Sequence, residues 1–208
     1  MKTITDVINE FINYIVTQDD YCGGLEEHIS QPLNTNRATE EEVLKTEEKL
    51  GCKIPNELRN YYLNDANGTE ENEEEYAIFD ETLDIFSHQK IINIYDYFKL
   101  YWEELQDENV DEVLDDTGAL DNEEEALLVK KYTNEFFVCI ANWENNFIGT
   151  FVFDKVGNFY KFNFDQDEMI DRIIEDLLTA DNAKYSVKKD KNLSKLLEDY
   201  LDEFKRDL

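Results

Sequence analysis

Residues 39–68 read TEEEVLKTEEKLGCKIPNELRNYYLNDANG, and their punctuation sets out two helices and two turns. Thr39 is an N-cap residue with Glu42 three positions on, the spacing of a reciprocal capping box. Val43, Leu44 and Leu50 make the apolar stripe of this first helix, and Gly51 ends it as a left-handed residue past the last turn. Pro55 suits the first turn of a second helix, where its missing N–H costs nothing. Leu58, Tyr61 and Tyr62 recur at helical spacing, and Asn67-Gly68 turns the chain.

Working outward, Ile4, Val7, Ile8, Phe11, Ile12 and Ile15 lie on one face of an N-terminal amphipathic helix. Downstream of the hairpin the period changes. FFVCIANW (136–143) is a buried strand, Asn145-Asn146 a turn, and FIGTFVFD (147–154) a second strand carrying Phe147, Phe151 and Phe153. DKVGN (154–158) closes a short hairpin with Gly157 free to take positive φ, and FYKFNF (159–164) alternates Tyr160, Phe162 and Phe164 on one face. Tyr76–Phe79 and Leu83–Phe86 are shorter candidate strands. Asn93 starts a helix carrying Ile94, Tyr95, Phe98, Tyr101, Trp102 and Leu105. Asp165 caps another, with Glu168 at the box position and Met169, Ile170, Ile173, Ile174, Leu177 and Leu178 as its stripe. Leu193, Leu196, Leu197, Tyr200, Leu201 and Phe204 make a last helix. The expected fold class is α+β: an antiparallel or mixed β-sheet flanked by helices, in one domain.

Two of these stretches carry a resemblance. Glu47-x-x-Leu50-Gly51-x-x-Ile54-Pro55, followed by Tyr62-Leu63 and Asn67-Gly68, resembles the opening motif of the SMI1/KNR4 family, also called the SUKH superfamily. The strand, loop and two strands around the Asp154-x-x-Gly157 turn resemble its core. Leu58 departs from the pattern, which calls for an aromatic three residues after the proline. The resemblance runs from about Thr39 to Phe164. It implies one SMI1/KNR4-like domain over residues 1–208, with its core at about 38–180 and with the N-terminal helix (1–37) and C-terminal helix (190–207) as extensions. Bacterial members are largely immunity proteins that bind and neutralise toxins of polymorphic or contact-dependent systems. Eukaryotic members imply the alternative, a non-enzymatic regulatory or scaffold protein.

Charge narrows the partner. Among 208 residues, 50 acids face 20 Lys and Arg, for a formal net charge of −30. Such a chain repels nucleic acid and anionic membrane, which reward basic patches, and favours fast, salt-sensitive association with a basic protein. The plainer reading is that surplus acid keeps the protein soluble. The 41% apolar content is enough for a sizeable core, no apolar run is long enough to span a membrane, and the N-terminus lacks a secretory pattern. Cys22, Cys52 and Cys139 are too widely spaced for a disulfide framework or a zinc site, so reduced thiols in a cytoplasmic protein are expected.

The acid is concentrated. No Lys, Arg or His lies between Arg59 and His88, a stretch that includes TEENEEE at 69–75, and no basic residue lies between Lys99 and Lys130. Lys184, Lys188, Lys189 and Lys191 cluster towards the C-terminus instead. An EF-hand register fails: Gly118 as the sixth loop residue puts Val113 first, and Gly68 puts Leu63 first. No phosphate loop, HExxH or GxSxG motif occurs, and His28 and His88 read as surface or helix-start residues without a relay. The expectation is therefore no enzyme, no cofactor and no metal; the toxin-binding role and nuclease-type target are what the resemblance implies, and with them the charge points to a cytoplasmic protein whose acidic surface occludes a basic nuclease site. The partner-facing candidates are Glu70, Glu71, Glu73, Glu74 and Glu75, with Asp107, Asp111, Asp115 and Asp116. Trp143 is a candidate aromatic anchor, or equally a core or turn-packing residue.

Overall fold

The computed structural model describes residues 2–16, 35–68, 83–94, 96–97, 134–144, 147–165 and 188–207. Helix α1 (Ile4–Val16) opens on a reciprocal cap: the Asp6 N–H donates to Thr3 Oγ1 at 3.1 Å and the Thr3 N–H to Asp6 Oδ2 at 2.9 Å. Its face of Ile4, Val7, Ile8 and Phe11 is buried. Helix α2 (Glu40–Leu50) has the expected capping box, with the Glu42 N–H donating to Thr39 Oγ1 at 3.3 Å and the Thr39 N–H to Glu42 Oε2 at 2.8 Å. Gly51 closes it at φ 67°.

The buried face of α2 corrects the expected stripe. Val43 is buried together with Thr46 and Glu47, whereas Leu44 is 39% exposed. Val43 and Leu44 lie about 100° apart round the helix, and packing against α3 selects Val43. Helix α3 (Asn56–Asn64) starts one residue later than the proline rule placed it. Pro55 is the N-cap, and its carbonyl accepts the first helical bond from the Arg59 N–H at 2.9 Å. Leu58, Tyr61 and Tyr62 are buried as expected, so leucine fills the position where an aromatic was the pattern. The Ala38 N–H donates to the Tyr62 carbonyl at 2.9 Å, tying the entry of α2 to the end of α3.

Among the described residues six antiparallel strands form one sheet: β1 (Leu83–Ile85), β2 (Ile92–Asn93), β3 (Phe136–Glu144), β4 (Phe147–Asp154), β5 (Phe159–Asp165) and β6 (Lys188–Asp190). Their order is β1-β3-β4-β5-β6, with β2 also pairing β3. The β3–β4–β5 meander stands where the alternating pattern put it, and Gly157 takes φ 82° in the β4–β5 turn. A bulge between Val138 and Ile140 resets the register of β3. Asp154 binds that turn together, accepting from the N–H groups of Val156 and Asn158, from Asn158 Nδ2 and from the Tyr160 hydroxyl.

Where their burial is described, both faces of β3, β4 and β5 are buried. Phe137, Cys139, Ile140, Phe151, Phe153 and Phe159 belong to the main core, and Phe136, Val138, Thr150, Val152 and Tyr160 are also buried. The last helix, α4 (Leu193–Asp207), lays Leu193, Leu196, Leu197, Tyr200, Leu201 and Phe204 on the main core. Each such buried side chain contributes about 1.5–3 kcal/mol relative to exposure. Phe11 of α1 packs on Phe204 and Tyr200, with ring centroids 5.1 and 6.0 Å away, so the two terminal helices share the core with α2, α3 and the sheet. Glu57 of α3 caps α4, accepting from the N–H groups of Leu193 at 2.5 Å and Ser194 at 3.3 Å.

Several expectations lie outside the described residues: the strand at Tyr76–Phe79, the turn at Asn145-Asn146, the helix from Glu168 to Leu178, and the aromatic helix beyond Tyr97. Its start is described, with Asn93 Oδ1 accepting from the Asp96 N–H at 2.9 Å. Asp165 is the last residue of β5.

Candidate functional site

Strands β1 and β2 lie end to end along the same edge of β3. Leu83 pairs with Asn142 and Ile85 with Ile140, while Ile92 pairs with Val138 and Asn93 with Phe137. The Phe86 N–H still donates to the Cys139 carbonyl at 3.0 Å, and residues 87–91 leave the sheet, so the edge is an interrupted strand. The first acidic stretch, 69–82, departs at Gly68 and rejoins at Leu83, beside Asn142. The second, within 98–133, begins after Tyr97, four residues past Asn93, and rejoins before Phe136, at the opposite end of β3. From Phe137 to Asn142, β3 separates the two attachment points by about 16–17 Å at roughly 3.3 Å per residue.

The midpoint of this edge is a packed corner. Gly68 takes φ 85°, and a Cβ placed there would come within 2.6 Å of the Ile85 carbonyl oxygen and the Ser87 nitrogen. Asn67 Oδ1 accepts the main-chain N–H of His88 at 3.1 Å and lies 2.7 Å from His88 Nδ1. The Tyr62 hydroxyl donates to the Phe86 carbonyl at 2.9 Å, and its ring meets the His88 imidazole edge-on. His88 is only 2% exposed, which corrects its reading as a surface or helix-start residue. Residue pattern gave no sign of this, because the burial comes from α3 packing across the edge strand.

Of the partner-facing candidates, Glu70, Glu71, Glu73, Glu74, Glu75, Asp107, Asp111, Asp115 and Asp116 lie outside the described residues, as does His28. Trp143 is in β3, paired with Ile148 and one residue beyond Asn142. Its backbone therefore sits at the end of the edge where the first acidic stretch rejoins the sheet. The structure thus returns the first acidic stretch to one end of this edge, beside Trp143, and the second to the other, before Phe136.

The described acids with buried surroundings are structural acceptors. Burial pushes the Asp154 carboxyl up, but the bonds from Asn158, Tyr160 and Val156 outweigh it and hold the group below the ordinary carboxylate value. Glu47, 4% exposed, accepts from the Ile54 N–H at 3.2 Å and Lys53 Nζ at 2.5 Å, with Arg59 Nε 3.4 Å away. Burial raises the thiols of Cys139 and Cys52, opposite to what a nucleophile needs. Among the described residues no group of three His, Cys, Asp or Glu could hold a metal ion, and no helix is long and apolar enough to cross a membrane.

The model of the SMI1 / KNR4 family (SUKH-1) matches residues 37–179, more than half of the 208. The chain belongs to this family. The matched span takes in the α2–α3 hairpin, the His88 corner and the β3–β4–β5 meander, whereas α1, β6 and α4 lie beyond it. No curated protein and no solved structure matches the chain. SUKH membership supports a role of the immunity-protein type in general, in a family whose proteins are generally non-enzymatic and bind partner proteins.

Proposed function

We propose that this SUKH protein is a cytoplasmic immunity protein that binds a basic toxin, of nuclease type, and occludes its active site with acidic surface. One observation carries the reading beyond the family: the net charge of −30, with its basic-free stretches joined to the two ends of a single sheet edge. A nuclease site is basic because it holds phosphates, and an array of carboxylates complements it. Inhibition is by occupancy, so it needs no catalytic group, and charge steering makes association fast and dependent on ionic strength.

The deciding experiment co-expresses the protein with the toxin encoded beside it and measures survival, then follows association of the purified pair across salt. Protection is expected, with an on-rate that falls steeply as salt rises. Changing Glu73, Glu74 and Glu75 together to Lys should slow association about tenfold or more, and the same change at Asp111, Asp115 and Asp116 weighs the second stretch against the first. Absence of protection removes the toxin-binding reading and leaves the regulatory or scaffold role. An on-rate unchanged by both sets of reversals removes the acidic stretches from the interface.

A further inference from the structure

The Asn67–His88 contact is half of a satisfied imidazole. The His88 main-chain N–H can only donate, so the Asn67 atom it meets is the amide oxygen Oδ1. That oxygen is also 2.7 Å from Nδ1, and an acceptor there requires Nδ1 to carry the proton. The ring is then neutral with its lone pair on Nε2. Nε2 is buried and has no hydrogen-bond partner among the described residues. A second proton would add an N–H and a charge at a point where no described residue accepts the new N–H.

The surroundings offer little compensation. From α3, Tyr62 presents a ring edge, and its hydroxyl is committed to the Phe86 carbonyl. From α2, Glu42 is the charged group among the described residues whose field favours the imidazolium, but its carboxylate is already bonded to the Thr39 N–H and hydroxyl. Burial outweighs it and keeps the His88 pKa below the ordinary value. The flanking Gln89 and Lys90 are exposed. The same corner holds the stem of the first acidic stretch, since Gly68, where 69–82 departs, is pressed against Ile85–Ser87, just past its return.

We propose that Asn67, Gly68 and His88 form an acid-sensitive clamp at the base of the 69–82 stretch, closed by the neutral imidazole and opened by a proton on Nε2. The sign follows from linkage. The closed clamp binds the proton more weakly than the open one, so closure is at full strength above the ordinary histidine value of about 6.5 and weakens as the pH falls below it, until the lowered closed-state value is passed. The clamp is a property of this fold and stands whether or not the partner is a toxin.

Amide exchange on the full chain tests it, reading the His88 and Gly68 N–H groups between pH 7.5 and 5.5 with the intrinsic rate divided out and Leu197 of α4 as the reference for global opening. In the wild type, protection at His88 should fall by up to about tenfold per pH unit below about 6.5, while Leu197 changes less. In His88→Gln the pH dependence at Gly68 should vanish. Flat protection in the wild type, or the same fall in both proteins, overturns the clamp. Imidazole nitrogen shifts provide a second reading that needs no substitution at position 88, with the only other histidine removed as His28→Gln. They should show the Nδ1–H tautomer at neutral pH, and an Nε2–H tautomer overturns the proposal.

Discussion

The two turns that flank α3 solve the same problem differently. Each pairs a positive-φ glycine with a buried ionisable side chain: Gly51 with Glu47 at the hairpin turn, and Gly68 with His88 at the corner. At the turn, the glycine would give an added Cβ nothing to meet within 4 Å, and the carboxylate has donors from Ile54, Lys53 and Arg59. At the corner, the glycine is packed backbone to backbone, and the imidazole keeps one nitrogen unpartnered among the described residues. A saturated buried group fixes a structure, whereas a half-saturated one leaves it sensitive to a proton. The turn is thus a rigid part of the scaffold, and the corner is the part poised to respond.

Gly68→Ala should have the largest effect. It combines the left-handed penalty of about 1–2 kcal/mol with overpacking of about 1–3 kcal/mol, because its Cβ would press on main-chain atoms of Ile85 and Ser87 that have no rotamer to change. The expected loss of about 3–4 kcal/mol is read from the urea unfolding midpoint at constant slope. A loss no greater than that of Gly51→Ala would mean that the corner is not tightly packed, and the contrast would collapse.

Glu47→Ala comes next, at about 3 kcal/mol, since it leaves the Ile54 N–H and part of Arg59 without an acceptor in a buried place. Arg59 keeps its ion pair with Glu40, which limits the damage. Glu47→Gln retains a carbonyl oxygen for the Ile54 N–H and should recover part of the loss. If Gln were as harmful as Ala in the same unfolding measurement, the charge rather than the hydrogen bond would be what the turn depends on.

The hairpin was legible in sequence because its determinants are local. Thr39 and Glu42 are one helical turn apart, Gly51 follows its helix directly, and Asp154 through Asn158 close their own turn. What failed depended on distant chain. Val43 and Leu44 are equally apolar, and only packing shows which faces in. In sequence Glu47 stands in the family-like motif without a structural role, because its burial and its Arg59 contact are tertiary. Strands β2 and β6 have two and three residues, too short for any period, and form because β3 and β5 present partners. Lys188 and Lys189 in β6 even argue against a strand, though lysine suits a sheet edge. For the candidate site, the acidic composition was plain from the residue list, but the attachment of both stretches to one edge rests on the long-range pairs Leu83–Asn142 and Asn93–Phe137.

Gly51→Ala isolates the backbone term that Gly68→Ala mixes with packing. Gly51 has φ 67° and donates its N–H to the Glu48 carbonyl at 3.3 Å, while open space surrounds the position of an added Cβ. Alanine there pays for the left-handed conformation alone and regains part of it by lowering the entropy of the unfolded chain. The expected cost is about 1 kcal/mol, so the difference between the two glycine variants measures what the Ile85–Ser87 contact contributes at the base of the acidic stretch. Gly51→Asn sharpens the subtraction, because asparagine tolerates positive φ better than alanine and should fall between alanine and the wild type. A Gly51→Ala loss equal to that of Gly68→Ala would assign both effects to φ and remove the steric argument for the corner.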